Sequence, residues 1–459
     1  MSGQRNPGSF RDPDGFVYTR DGILLRQIHL SYQRDWQQLH ESGLYRTLVE
    51  AGLLVEHVER PLSDRYDANA WRVIAPEPVP WISYPYEWTP KQLRAAAVLT
   101  LDVLERALDC GMTLKDAAAT NVQFIGSRPV FIDTLSFTVR EEASPWAGYR
   151  QFCQHFVGPL ALMERVDPRL RDLSRSALDG PALDLVSGLL PRSSWASLGL
   201  LTHVHLHART IAGQGGRAVS PAVTRRGVSL DGAKGLLGHL RSTVERTARG
   251  SRYSEWSDYE ATHNYSDVAM ATKREVVGRL AAECRPALTF DLGANTGQFS
   301  QLVAEHGGYV VAFDADLGAV ECCWDRQAAT DGTSILPIWS DLTNPSPAQG
   351  WGHAERASLA GRGPADLVLA LALVHHLAIQ HNVPLPAISQ FLARLGRRVL
   401  LEWVPKDDPQ AQRLLVTRPD IFIGYHEPGL LAALEPDWHI DARHEVPGTG
   451  RQLYALSRR

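Results

Sequence analysis

Apolar positions in the first part of the chain recur at helical spacing. Over 36–53 they fall at Leu39, Leu44, Leu48 and Leu53, and over 88–108 at Leu93, Ala97, Leu101, Leu104 and Leu108, so each stretch predicts an amphipathic helix. A short strand is predicted ahead of them over 23–29. Residues 1–22, polar and rich in Gly, Pro, Arg and Asp, predict a loose arm. Further helical runs follow within 145–206, a Gly/Ser/Arg/Pro-rich break spans 212–227, and another helix is predicted over 232–248. Residues 253–265 lead into a different pattern. From residue 287, short apolar runs at 288–291, 309–314, 334–338, 366–370 and 399–403 alternate with helical stretches. That alternation predicts βαβ units and a parallel sheet. Two final strand-like runs, 438–446 and 452–457, are joined by Pro-Gly-Thr-Gly and predict a hairpin closing the sheet. The expected organisation is an arm at 1–22, a mostly helical domain at 23–245 and a doubly wound α/β domain at 246–459.

Composition narrows the setting more than the fold. A chain of 459 residues, 44% hydrophobic and 21% charged, can bury two sizeable cores. Its net charge of -4 gives no global attraction to nucleic acid or to an anionic membrane, so neither is an expected partner. Five cysteines without CxxC spacing, no apolar leader and no apolar run of about 18 residues predict a protein of the reducing cytoplasm, neither exported nor inserted in a membrane. Only Lys91, Lys115, Lys234, Lys273 and Lys406 are lysines among 47 cationic residues.

The most informative segment is Asp291-Leu-Gly-Ala-Asn-Thr-Gly-Gln-Phe-Ser300, after a predicted strand and before a predicted helix. In an open α/β sheet, ligands sit beyond the carboxyl ends of the strands, where this loop lies. Gly293 and Gly297, flanking Ala294 and Asn295, let the backbone turn and approach a ligand without a Cβ in the way. The next strand ends at Asp314, 23 residues after Asp291, where a carboxylate can accept from both hydroxyls of a ribose. The middle glycine of a dinucleotide fingerprint is replaced by Asn295, which disfavours a pyrophosphate cradle.

This segment resembles motif I of the class I S-adenosylmethionine-dependent methyltransferases. The resemblance covers about 253–459 and implies a Rossmann-like sheet with an antiparallel final strand and S-adenosyl-L-methionine as cofactor. It implies Asp291 as the loop carboxylate facing the sulfonium and its amino-acid tail, Asp314 as the ribose acid, and Asp341-Leu342 as the adenine contact. The run Asp366–Leu377 is similar to motif IV. His375-His376, Glu402–Pro409 and Asp420–Phe422 are similar to a bacterial group that includes nodulation-type methyltransferases. His375 and His376 follow the fourth strand of this domain, where an acceptor would enter, and are candidate bases; Glu402 and Asp407 are alternatives. Such a chain would methylate a small-molecule or glycan-type acceptor, with oxygen favoured by the flanking histidines.

In the first half, Asp116 and Asn121 stand five apart and Asp133 follows a predicted strand. Spacing of this kind resembles the protein kinases and small-molecule phosphotransferases, which implies an α+β kinase-like fold over about 20–240 with Asp116 at the acceptor and Asn121 and Asp133 on metal. A glycine-rich loop is missing and no lysine precedes Lys91, leaving Arg26 as the candidate stand-in for the phosphate lysine. Three readings stay open for this half: a degenerate binding domain, an ATP-dependent phosphotransferase that makes the protein bifunctional, or coincidence. A non-catalytic adaptor is the rival for the whole chain. The aromatic run 81–88 suggests a ligand surface or core. His203, His205 and His207 would share one face of a strand but spread around a helix, so no metal site is expected.

Overall fold

The computed structural model describes residues 3–142, 144–213, 228–247, 266–416 and 419–459. Most of the break predicted at 212–227, the last residue of the helix predicted at 232–248 and the segment 253–265 lie outside them. The chain divides into two compact units, one formed by Met1–Phe124 with Pro129–Ser251 and the other by Ile125–Arg128 with Arg252–Arg459. No described helix is long and apolar enough to cross a membrane.

The first unit opens on a sheet that periodicity had largely hidden. Strands β1 (Gln4–Arg5), β2 (Gly15–Arg20), β3 (Ile23–His29), β4 (His57–Arg60) and β5 (Ala70–Pro76) form an antiparallel sheet ordered β1-β2-β3-β5-β4. Two expectations are corrected here. Residues 4–20 are not a loose arm, because β2 pairs with β3 along its whole length and buries Phe16 and Tyr18 against Leu25 and Val73. The first 76 residues of the unit hold more strand than helix, and the helices gather in the remainder. The helix predicted at 36–53 is also two, α1 (Gln33–Glu41) and α2 (Leu44–Glu50), parted by Gly43 at φ 77°. A left-handed residue ends a right-handed helix, and glycine adopts that conformation at no steric cost.

Helix α3 (Pro90–Asp109) starts where its sequence says it should: Thr89 caps the Gln92 amide, the Gln92 side chain returns to the Thr89 amide, and Pro90 sits in the first turn. Short ribbons follow, β6 (Met112–Leu114) with β9 (Phe137–Val139) and β7 (Val122–Ile125) with β8 (Arg128–Phe131). Within the run 81–88, Trp81, Tyr84, Tyr86 and Trp88 are buried, and Trp88 meets Phe124 edge-on at 5.0 Å. That stretch is core.

The second unit is a seven-stranded sheet ordered β12-β11-β10-β13-β14-β16-β15. Its strands are β10 (Leu288–Leu292), β11 (Tyr309–Asp314), β12 (Ile335–Trp339), β13 (Ala365–Ala370), β14 (Gly396–Trp403), β15 (Trp438–Glu445) and β16 (Gln452–Arg458). The first five are parallel, and β16 runs antiparallel to both neighbours. All five residues of β12 are buried, as expected of a strand covered on both faces. Chain order reverses on the two sides of β10, which has β11 on one side and β13 on the other. At that switch point the loops leaving β10 and β13 diverge and leave a crevice.

Candidate functional site

The crevice holds a cavity of about 450 Å³. Gly293 and Asn295 line it from the loop after β10, Asp314 and Asp316 from that after β11, and Asp341 and Leu342 from that after β12. Leu371, Leu373, His375, His376, Gln380 and His381 close it from the β13 side, and Gln410 reaches it from the helix Pro409–Leu415.

The glycine loop is built as its sequence requires. Gly293, Asn295 and Gly297 have φ of 76°, 51° and 83°, and a Cβ at Gly297 would meet Cys323 Sγ at 2.6 Å. The amides of Gly293 and Ala294 donate to the Phe313 carbonyl, both at 2.9 Å, so the loop folds back over the end of β11. Asp314 receives it there: its carboxyl accepts from the Asn295 amide at 2.8 Å and from the Asp316 amide at 2.8 Å. Burial pushes the Asp314 carboxyl up to about 6.

Asp291 differs from the expectation. It is 2% exposed, does not line the cavity, and accepts from the Ser300 hydroxyl at 2.6 Å. Burial raises it too, to about 6. Its carboxyl ties the strand to the helix Gln298–Ala304 behind the loop instead of facing a sulfonium. Asp341 does line the cavity, and its carboxyl accepts from the Thr343 amide and hydroxyl at 2.8 and 2.7 Å.

On the β13 side the paired histidines have different surroundings. His375 is 1% exposed, its ring 4.2 Å from that of His376, and its Nδ1 is buried without a hydrogen-bond partner among the described residues. Burial pulls its pKa well below the usual range, so the ring is neutral and a weaker base than a free imidazole. His376 is less enclosed and its Nδ1 meets Gln380 Oε1 at 3.0 Å. Glu402 is corrected: it is fully buried, paired with Lys273 at 2.8 Å and Arg451 at 3.3 Å, and outside the cavity lining. Asp407 is exposed and also outside it. Pattern reading missed Asp316, Gln380, His381 and Gln410, none of which belongs to a recognisable spacing.

The three acids and amides singled out in the first unit are engaged internally. Asp133 pairs with Arg26 of β3 and also accepts from the Leu135 amide at 3.1 Å and the Ser136 hydroxyl at 2.7 Å. Burial alone would raise its pKa, but Arg26 and these hydrogen bonds outweigh it and hold the carboxyl below the usual range. Arg26 also reaches Asp12 at 3.1 Å. Asn121 donates to Ser136 at 3.1 Å, and Asp116 accepts from the Ala118 amide at 2.9 Å. The histidine triplet lies on a continuous helical run: His203 meets the Tyr149 hydroxyl at 2.8 Å, His205 sits between Ser187 and Ser194, and His207 stacks on Tyr149. Among the described residues no group of three or more His, Cys, Asp or Glu side chains is placed to hold a metal ion.

Nodulation protein NoeA of Rhizobium meliloti (strain 1021) is 35% identical to this chain over 464 aligned residues, covering 99% of the chain and 96% of NoeA. The chain belongs to the NoeA family. No family profile matches it. Among solved structures, WbdD is 19% identical with a TM-score of 0.30, over 44% of this chain and 42% of WbdD, and is described elsewhere as a bifunctional kinase-methyltransferase. The match therefore spans less than half of WbdD. The N-methyltransferase NodS from Bradyrhizobium japonicum WM9 is 12% identical with a TM-score of 0.32, over 42% of this chain and 98% of NodS. By strand order, with an antiparallel strand inserted beside the fifth, the second unit of this NoeA relative has the Rossmann-like sheet with an antiparallel final strand that the sequence resemblance implies.

Proposed function

We propose that this cavity transfers a methyl group from S-adenosylmethionine to a hydroxyl of a neutral, polyhydroxylated small molecule of carbohydrate type. The residues fit the cofactor: Asp314 offers a carboxylate to ribose hydroxyls, Leu342 and the carboxyl of Asp341 flank the position of an adenine, and the left-handed loop leaves no Cβ in the way at Gly293. Bound there, the cofactor supplies an electrophilic methyl carbon. The chain's own contribution is to hold the acceptor in line and to take its proton.

The observation that carries the reading is His375, which lines the cavity and whose buried Nδ1 has no hydrogen-bond partner among the described residues. An unsatisfied buried ring nitrogen is costly; an acceptor O–H that donates to it removes that cost and is aligned for proton transfer. His376, braced by Gln380, keeps the neighbouring ring in place. The class of acceptor follows from the wall. His375, His376, Gln380, His381 and Gln410 carry hydrogen-bonding groups, and none is an acid, lysine or arginine. A wall of hydrogen-bonding side chains without an acid, lysine or arginine favours polar, uncharged ligands.

For the first unit, the reading best supported is binding without phosphotransfer. Arg26 occupies the Asp133 carboxylate that a metal ion would need.

The test is a labelled-cofactor assay against neutral sugars, primary amines and sugar phosphates. Label is expected in the neutral sugars, and H375Q should lower kcat by about 100-fold with cofactor affinity unchanged. Transfer to amines alone, or full turnover by H375Q, would overturn the assignment.

A further inference from the structure

Four ionisable side chains from different elements of the second unit are buried together, and no step above uses them. Lys273 comes from the helix Asp267–Cys284, Glu402 from β14, Asp408 from the N-cap of the helix Pro409–Leu415, and Arg451 from the turn entering β16. Their exposures are 2%, 0%, 8% and 3%. Two cations and two anions balance, which is the condition for burying any of them. Lys273 meets Glu402 at 2.8 Å and Glu402 meets Arg451 at 3.3 Å. Arg451 then grips Asp408 with a two-pronged fork, Nε at 2.7 Å and Nη2 at 2.9 Å, the geometry that makes a guanidinium–carboxylate pair strong and directional.

The two ends of this chain of charges reach different elements of the unit. At one end Asp408 also accepts from the Gln410 amide at 2.8 Å, and Gln410 lines the acceptor wall. At the other end Lys273 lies over the Phe299 ring at 5.0 Å, behind the glycine loop. The Arg451 end is itself held: its amide donates to Thr449 Oγ1 at 3.1 Å, its carbonyl accepts from the Val446 amide at 3.1 Å, and a Cβ on Gly450 would meet Pro405 Cγ at 3.0 Å. The hairpin turn is thus seated against the loop that carries Asp408.

We propose that Arg451 and Asp408 are positioning residues that fix the start of the helix Pro409–Leu415, and so place Gln410 on the acceptor wall, from the β15–β16 hairpin. The proposal rests on the cavity being the transfer site. It gives the final antiparallel hairpin a task beyond completing the sheet: it sets the acceptor side while the glycine loop sets the cofactor side.

The test uses the full chain with two variants. D408N keeps a side-chain oxygen to cap the helix but removes the charge that faces Arg451; R451K keeps a charge but loses the fork. Amide hydrogen exchange over 409–415 should accelerate at least about tenfold in either variant, with 293–304 unchanged and S-adenosylhomocysteine affinity within about twofold of wild type. With a neutral-sugar acceptor from the assay above, KM for the acceptor should rise about tenfold and kcat should change less. Unchanged exchange over 409–415 would overturn the proposal, and so would acceleration spread evenly over the unit or a fall in kcat with acceptor KM unchanged. If D408N does not fold, R451K decides by the same readings. If no sugar is methylated, the function proposed above fails, while exchange and S-adenosylhomocysteine binding still decide the positioning role.

Discussion

Asp314 and Asp133 are each an aspartate at or just beyond the end of a strand, and the two units treat them in opposite ways. Asp314 accepts from two backbone amides, has no cationic partner among the described residues and lines a cavity. Its pKa is pushed up to about 6, because burial is not offset by a cation. Asp133 is part-buried, paired with the buried Arg26, and held below the usual range. A carboxylate left without a counter-ion is available to a ligand, at a cost in desolvation. One given a buried guanidinium contributes to its own unit instead. The comparison teaches that residue type and spacing are equal evidence for a site in both units, and that the partner decides which of the two works.

The largest expected effect breaks the sealed side. R26M leaves Asp133 part-buried without its cation, so the first unit should lose about 3–5 kcal/mol of stability, read as a lower midpoint in urea. Cofactor affinity should not change, since the second unit holds its own site. Next comes the open side. D314A removes the acceptor for two ribose hydroxyls, and S-adenosylmethionine affinity should fall roughly 10–100-fold, equivalent to about 1.5–3 kcal/mol. Circular dichroism should confirm an intact fold.

The smallest effect is a pH dependence of the open side. A raised carboxyl binds its proton more tightly in the folded chain than in the unfolded one. Asp291 and Asp314, both pushed up to about 6, therefore stabilise the ligand-free unit fully below about pH 4, and that contribution is lost as pH rises through about 6. Binding runs the other way, since the ionised Asp314 is the better acceptor for hydroxyls. Cofactor affinity should fall by up to about tenfold per unit below pH 6 and level off above it. Calorimetry from pH 5 to 8 checks the sign; affinity rising toward pH 5 would show that Asp314 does not hold the ribose as an anion.

The second unit was legible because its signals are local. Each predicted strand overlaps an observed one, β11 with the same bounds, since a strand covered on both faces is a continuous apolar run, and Gly293 and Gly297 announce the turn they make. Side-chain direction was not legible. Asp291 and Asp314 look equivalent in sequence, yet one carboxyl faces Ser300 and the other the cavity. Glu402 reads as a strand-end acid, and only the fold reveals that Lys273, over 120 residues earlier, and Arg451 enclose it. In the first unit β2, β4 and β5 are short strands of a half-exposed sheet, where helical periodicity next door dominates the pattern. The pairing of Asp12 with Arg26 lay in a stretch whose polar composition reads as an arm.

The second unit is thus open for ligand at Asp314, while in the first Arg26 occupies Asp133. Calorimetric titration of one full-length sample, first with S-adenosylmethionine and then with Mg-ATP, tests it most directly. The account predicts saturable binding of S-adenosylmethionine that is weakened in D314A and unchanged in R26M, with no heat of binding from Mg-ATP. Saturable Mg-ATP binding that is lost in D133A, or no binding of S-adenosylmethionine, would contradict it.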